Sequence, residues 1–138
     1  MAQAKRKVKR FVIDVNSFIS IFINKEHEWL LNYVIKNKIE IFTDKLLLRE
    51  LIRVLEYKKI KNILPFDTIF YIRFVQNLSI NIDSQTFNLQ SPDPDDNYLY
   101  DIALSANAKL LVTGEKALLN WEDSPIETVS LSDFKNLF

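Results

Sequence analysis

The sequence predicts an α/β fold with a parallel sheet covered on both faces. Two observations lead there. Short apolar runs alternate with amphipathic helical stretches along the chain, and the runs are apolar on successive residues, as strands buried on both sides are. The 138 residues suit one domain, expected over 1–138, with neither a repeat nor a low-complexity stretch to divide it.

The elements follow in order. Residues 8–13 read as a first strand that ends at Asp14 in a polar turn. Residues 18–23 make a short apolar helix or turn, and 26–37 carry Trp29, Leu30, Tyr33 and Val34 at helical spacing. A second strand at 39–42 leads to a helix capped by Thr43 or Asp44, with Leu47, Leu48, Leu51, Val54 and Leu55 on its apolar face. Residues 58–62 form a basic turn closed by Pro65. Asp67 caps a helix through Leu78, and 80–82 make a short strand. After a polar connection to Pro94, Asp95 or Asp96 opens a helix to Ala106, with Asn107 at its C′ position. Residues 109–112 return as a buried strand, 126–129 make the last one, and 132–138 a terminal helix.

Composition excludes several chemistries. The 18 basic and 18 acidic side chains cancel, so net charge does not mark a nucleic-acid binder. With no Cys there is no thiolate nucleophile, disulfide or Cys-ligated zinc. His27 alone cannot build a multi-His metal site, and Gly114 alone cannot build a P-loop or a dinucleotide fingerprint. Carboxylates remain. No run reaches the roughly 18 apolar residues that span a bilayer, so the expectation is a soluble, cytoplasmic protein with no membrane partner. Lys5, Arg6, Lys7, Lys9 and Arg10 open the chain, and residues 1–7 read as a flexible basic tail.

In open parallel sheets, sites form outside the carboxyl ends of the strands. Asp14 stands at one such end and Glu115 just past another, while Asp96 opens a helix and Glu50 lies about one turn inside one. Four carboxylates converging there repel one another unless cations neutralise them, and oxygen-only donors suit Mg²⁺ or Mn²⁺. Each acid also has a purely structural reading: Asp14 and Asp96 as caps, Glu50 paired with Arg53, and Glu115 as a first-turn residue favoured by the helix dipole. Asp101, about 140° around the helix from Asp96, is expected to face solvent or an ion pair. His27 is expected to be exposed. Trp29, Tyr33, Phe70, Phe74 and Tyr98 read as core or groove-wall aromatics, and the face bearing Phe66, Phe70 and Phe74 as either monomer core or dimer surface.

Three stretches carry a resemblance: Phe11-Val-Ile-Asp14-Val-Asn16-Ser-Phe-Ile-Ser20, residues 43–55 around Glu50, and the block from Ser91-Pro-Asp-Pro-Asp-Asp-Asn-Tyr-Leu to Leu111-Val-Thr-Gly-Glu-Lys-Ala-Leu-Leu119. Together the chain resembles the PIN domain, and within it the toxin components of toxin–antitoxin systems. The resemblance implies a three-layer α/β/α sandwich with a central parallel sheet, and Mg²⁺- or Mn²⁺-dependent cleavage of single-stranded RNA. It assigns the four acids to Asp14, Glu50, Asp96 and Glu115, with Asp14, Asp96 and Glu115 on the metal and Glu50 on a second ion or on the proton of the attacking water. It also implies that Asn16 and Ser20 orient the first acid or contact substrate, and that Thr113 lies beside the last one. Lys116, Lys45, Arg49 and Arg53 are the nearest basic rim, with Lys58, Lys59 and Lys61 further off. A cognate antitoxin and a homodimer are the implied partners. Three positions depart from the pattern: Val15 where Thr is usual, Glu115 where Asp is usual, and Ala117 where a further acid is common. They leave open a module that binds RNA or a protein without cleavage. A hydrolase acting on small phosphate esters is a third reading.

Overall fold

The computed structural model describes residues 9–138. The basic tail expected over 1–7, and the start of the first strand at position 8, lie outside the described residues. Five strands form one sheet: β1 (Lys9–Ile13), β2 (Ile39–Thr43), β3 (Ser79–Asn81), β4 (Leu110–Val112) and β5 (Glu127–Val129). Their order is β3-β2-β1-β4-β5 and every pairing is parallel. Eight helices among the described residues complete a three-layer α/β/α sandwich: α1 (Val15–Ile23), α2 (His27–Asn37), α3 (Lys45–Leu55), α4 (Lys58–Lys61), α5 (Thr68–Leu78), α6 (Asn97–Ser105), α7 (Lys116–Leu119) and α8 (Leu131–Lys135).

The strands are parallel because each returns through helices, and they are apolar throughout because those helices cover both faces. Val12, Ile13, Ile41, Leu111 and Val112 are fully buried at the centre of the sheet. Helix starts follow the expected caps. Asp44 accepts from the Leu47 amide at 2.9 Å and Asp67 from the Phe70 amide at 3.0 Å. Asn107, with φ 56°, ends α6 in the left-handed region.

Several expectations change. The helix after β1 begins at Val15 rather than 18, because Asp14 caps it by accepting from the Ser17 amide at 2.7 Å. The basic stretch after α3 is a short helix, Lys58–Lys61, and a 3₁₀ turn, Pro94–Asp96, precedes α6. The last helix ends at Lys135. His27 is not exposed: it is half-buried, its ring meets Phe66, Phe70 and Phe74 edge-on, and its Nδ1 is buried without a partner. Phe66 and Phe70 are exposed at 48% and 37% while Phe74 packs on the core against Phe22, so that face is core at one end and surface at the other. Asp101 is half-buried and pairs with no cation among the described residues; its carboxylate accepts a hydrogen bond from the Phe87 amide at 3.0 Å.

Candidate metal centre

β1 sits mid-sheet with β2 on one side and β4 on the other, so the chain reverses its winding direction between β1 and β4. The carboxyl ends of two such strands form a crevice, the usual ligand position in open α/β sheets. Asp14 leaves β1 there and its amide donates to the Val112 carbonyl at 3.0 Å. Thr113, Gly114 and Glu115 leave β4 beside it.

Asp14 is buried and both its oxygens are engaged. Oδ1 caps α1, and Oδ2 accepts from the Thr113 hydroxyl at 2.6 Å. That hydroxyl oxygen accepts in turn from the Glu115 amide at 3.1 Å, tying the end of β1 to the turn after β4. Asp96 arrives on the 3₁₀ turn. Although it occupies the N-cap position of α6, its side chain makes no capping bond, so its carboxylate faces the cleft instead. Asp93, one 3₁₀ turn earlier, accepts from the Asp95 amide at 3.1 Å. One carboxylate oxygen from each of Asp93, Asp96 and Glu115 lies within 4.8 Å of the others.

No cation is paired with these three acids among the described residues. The consequence appears in Asp96, whose carboxyl is pushed up to about 7, first by burial and then by the neighbouring Asp93, Asp14 and Glu115 carboxylates. A cleft of about 60 Å³ is lined by Asp14, Val15, Asn16, Glu50, Asp96, Tyr98, Leu99 and Glu115. It shares Glu50, Asp96 and Tyr98 with a groove of about 700 Å³ that also carries Leu46, Arg49, Ile52, Arg53 and Asp95. Burial first, then the nearby acids beginning with Glu50, raise the Tyr98 hydroxyl above its ordinary range, so it stays protonated and can donate into the cleft. Glu50 is held differently. The Arg53 guanidinium takes both its oxygens, Nε at 3.0 Å, and this hydrogen bonding keeps its carboxyl below the usual range.

All four acids selected from the sequence therefore line one cleft. Asn16 lines it too and is exposed. Ser20 lies one turn further along α1, half-buried and not among the lining residues. Thr113 is fully buried against Asp14, and Lys116 is exposed at the start of α7. Asp93 is the residue that sequence reasoning missed. Its signal was the Asp-Pro-Asp-Asp spacing, because at three residues per turn a 3₁₀ helix eclipses positions i and i+3 and so stacks Asp93 with Asp96.

A family model described as the PIN domain matches residues 10–117. The chain belongs to the PIN domain family. The matched span contains Asp14, Glu50, Asp93, Asp96 and Glu115, and leaves β5 and α8 outside. No curated protein matches the chain. PIN domains are generally metal-dependent nucleases, and the donor set of this PIN domain fits a hard divalent ion: only carboxylate oxygens, clustered, with no imidazole or thiolate among them. Glu115 stands where the family usually has Asp, yet its longer side chain brings an oxygen into the nest. No helix among the described residues is long and apolar enough to cross a membrane.

Proposed function

We propose that this PIN domain is a divalent-metal-dependent endoribonuclease for single-stranded RNA, acting in the cytoplasm as the toxin of a toxin–antitoxin pair. The observation that carries the catalytic part is the nest of Asp93, Asp96 and Glu115 oxygens beside the buried Asp14, uncompensated by any described cation. Mg²⁺ or Mn²⁺ would be held by Asp93, Asp96 and Glu115 beside Asp14, and would supply Lewis-acid stabilisation of the phosphoryl oxygens and a lowered water pKa.

The chain's own groups do the rest. Asp14 is fixed by Ser17 and Thr113, so its negative charge is held in place beside Asp96 and adds to the field that favours a cation there. Glu50 is the general-base candidate because it lines the cleft, and it would have to leave the Arg53 guanidinium to accept a proton. Arg49 and Arg53, one turn apart on α3, flank the groove; Arg49 suits a phosphate, while Arg53 is engaged by Glu50 and Tyr57. The exposed Leu46 and Ile52 offer apolar surface to unpaired bases. The toxin role, the antitoxin and a homodimer rest on the resemblance alone.

A module that binds without cutting is the second reading. It is favoured by the engagement of Glu50 with Arg53 and by Ala117 at a position where an acid is common. The two readings separate on end-labelled single-stranded RNAs incubated with Mn²⁺, Mg²⁺ or EDTA. Cleavage that needs the metal and disappears in Asp96→Asn supports the nuclease. Folded protein that binds RNA and leaves it intact supports the module.

A further inference from the structure

Between β3 and the 3₁₀ turn, residues 82–93 run without helix or strand. Of their side chains only Ile82 and Leu89 are apolar groups packed on the core, while Phe87 is exposed. A cavity of about 410 Å³ is lined by this segment and the start of α3. Apolar burial therefore does little to fix its path: Ile82 and Ser84 bond to Thr43 and Asp44 at its start, and beyond them hydrogen bonds from α6 take that role.

Asn97, Asp101 and Ser105 recur every fourth residue, which puts them in one stripe along α6. The Asn97 side-chain amide donates to the Leu89 carbonyl at 3.0 Å, Asp101 accepts from the Phe87 amide at 3.0 Å, and Ser105 accepts from the Gln85 amide at 2.8 Å. The match is metric. Four helical residues rise about 6 Å and two extended residues about 6.6 Å, which matches the step from Gln85 to Phe87; Asn88, with φ 53°, then leaves extended backbone before Leu89 meets Asn97. The ladder ends at the acids. Asn97 is also bonded to the Ser91 hydroxyl, which lies 2.7 Å from the Asp93 carbonyl.

We infer that Asn97, Asp101 and Ser105 are positioning residues that hold residues 85–91 so as to deliver Asp93 beside Asp96 and Glu115, and thereby set the affinity of that nest for a divalent cation. The inference rests on the metal-centre reading above and adds to it a set of groups that never touch the ion. Asp101 points away from the face that Asp96 presents, so its effect is carried by the backbone of the segment.

The test is Mn²⁺ binding to the full chain by titration calorimetry, with no RNA present, for wild type, Asp101→Ala and Asp101→Asn. The alanine variant loses the acceptor for the Phe87 amide and should bind Mn²⁺ about tenfold more weakly. The asparagine variant keeps an acceptor oxygen while losing the charge, and should stay near wild type. Equal loss in both variants would assign the effect to long-range charge and overturn the inference. So would wild-type affinity in Asp101→Ala. A wild-type chain that takes up no Mn²⁺ would overturn the metal-centre reading and this inference with it. If Asp101→Ala does not fold, Ser105→Ala removes one acceptor at the far end of the stripe and should weaken binding in the same direction; unchanged affinity there would overturn the inference.

Discussion

Asp96 is a carboxyl whose ionisation is opposed by burial and by three neighbouring acids, with its titration pushed up to about 7. Unfolded, it titrates at about 4, so the folded metal-free chain binds this proton more tightly than the unfolded one. Its contribution to stability is full below pH 4 and is lost as pH rises towards 7. A divalent ion competes with that proton, so the rise in Tm on adding Mn²⁺ should be larger at pH 8 than at pH 6, as a thermal melt at each pH would read. Asp96→Asn should raise the metal-free Tm at pH 8 and abolish the Mn²⁺ effect. Thr113 is a second test at this scale. Thr113→Val removes the hydroxyl that donates to the buried Asp14 and should cost about 1–3 kcal/mol in urea unfolding. That Asp14, Asp96 and Glu115 meet at one cleft was legible because each stands at a strand end or helix start, and Glu50 reaches it from inside α3. Asp93 was not, because its proximity to Asp96 depends on a 3₁₀ rather than an α-helical turn. The partners of Asp101 and His27 come from segments remote in sequence, which local periodicity does not reveal.

At the scale of elements, capping residues set where helices begin and so where the acids point. Asp44 is 3% exposed, caps α3 through Leu47, and accepts from the Ser84 hydroxyl at 2.5 Å. Asp44→Ala should cost about 1–2 kcal/mol, with a shift in urea midpoint as the readout. A loosened start to α3 would also move Glu50, one turn further on. The element pattern was readable because apolar periodicity and caps agree along most of the chain. The misreadings came where length was short: the α4 turn, the 3₁₀ segment and the exact ends of β3 and α8. In such pieces packing against neighbours outweighs local preference.

For the whole molecule, strand order decides the site. Alternating strands and helices imply a parallel sheet, but they do not say that β4 lies against β1 rather than at an edge. That adjacency puts Asp14 and Glu115 at one crevice. The chain end beyond the family match also belongs to the core. Phe134 of α8 is fully buried against Phe11, Trp29 and Tyr33, and the Tyr33 hydroxyl donates to its carbonyl at 2.5 Å. Phe134→Ala should cost about 3–5 kcal/mol in urea unfolding. The central claim is that the acids at the β1/β4 crevice form a divalent-cation centre. Anomalous diffraction from crystals grown with Mn²⁺ tests it most directly. The expected result is a manganese peak within bonding distance of Asp93, Asp96 and Glu115; a crevice without one at saturating Mn²⁺, or a peak held by other residues, would contradict it.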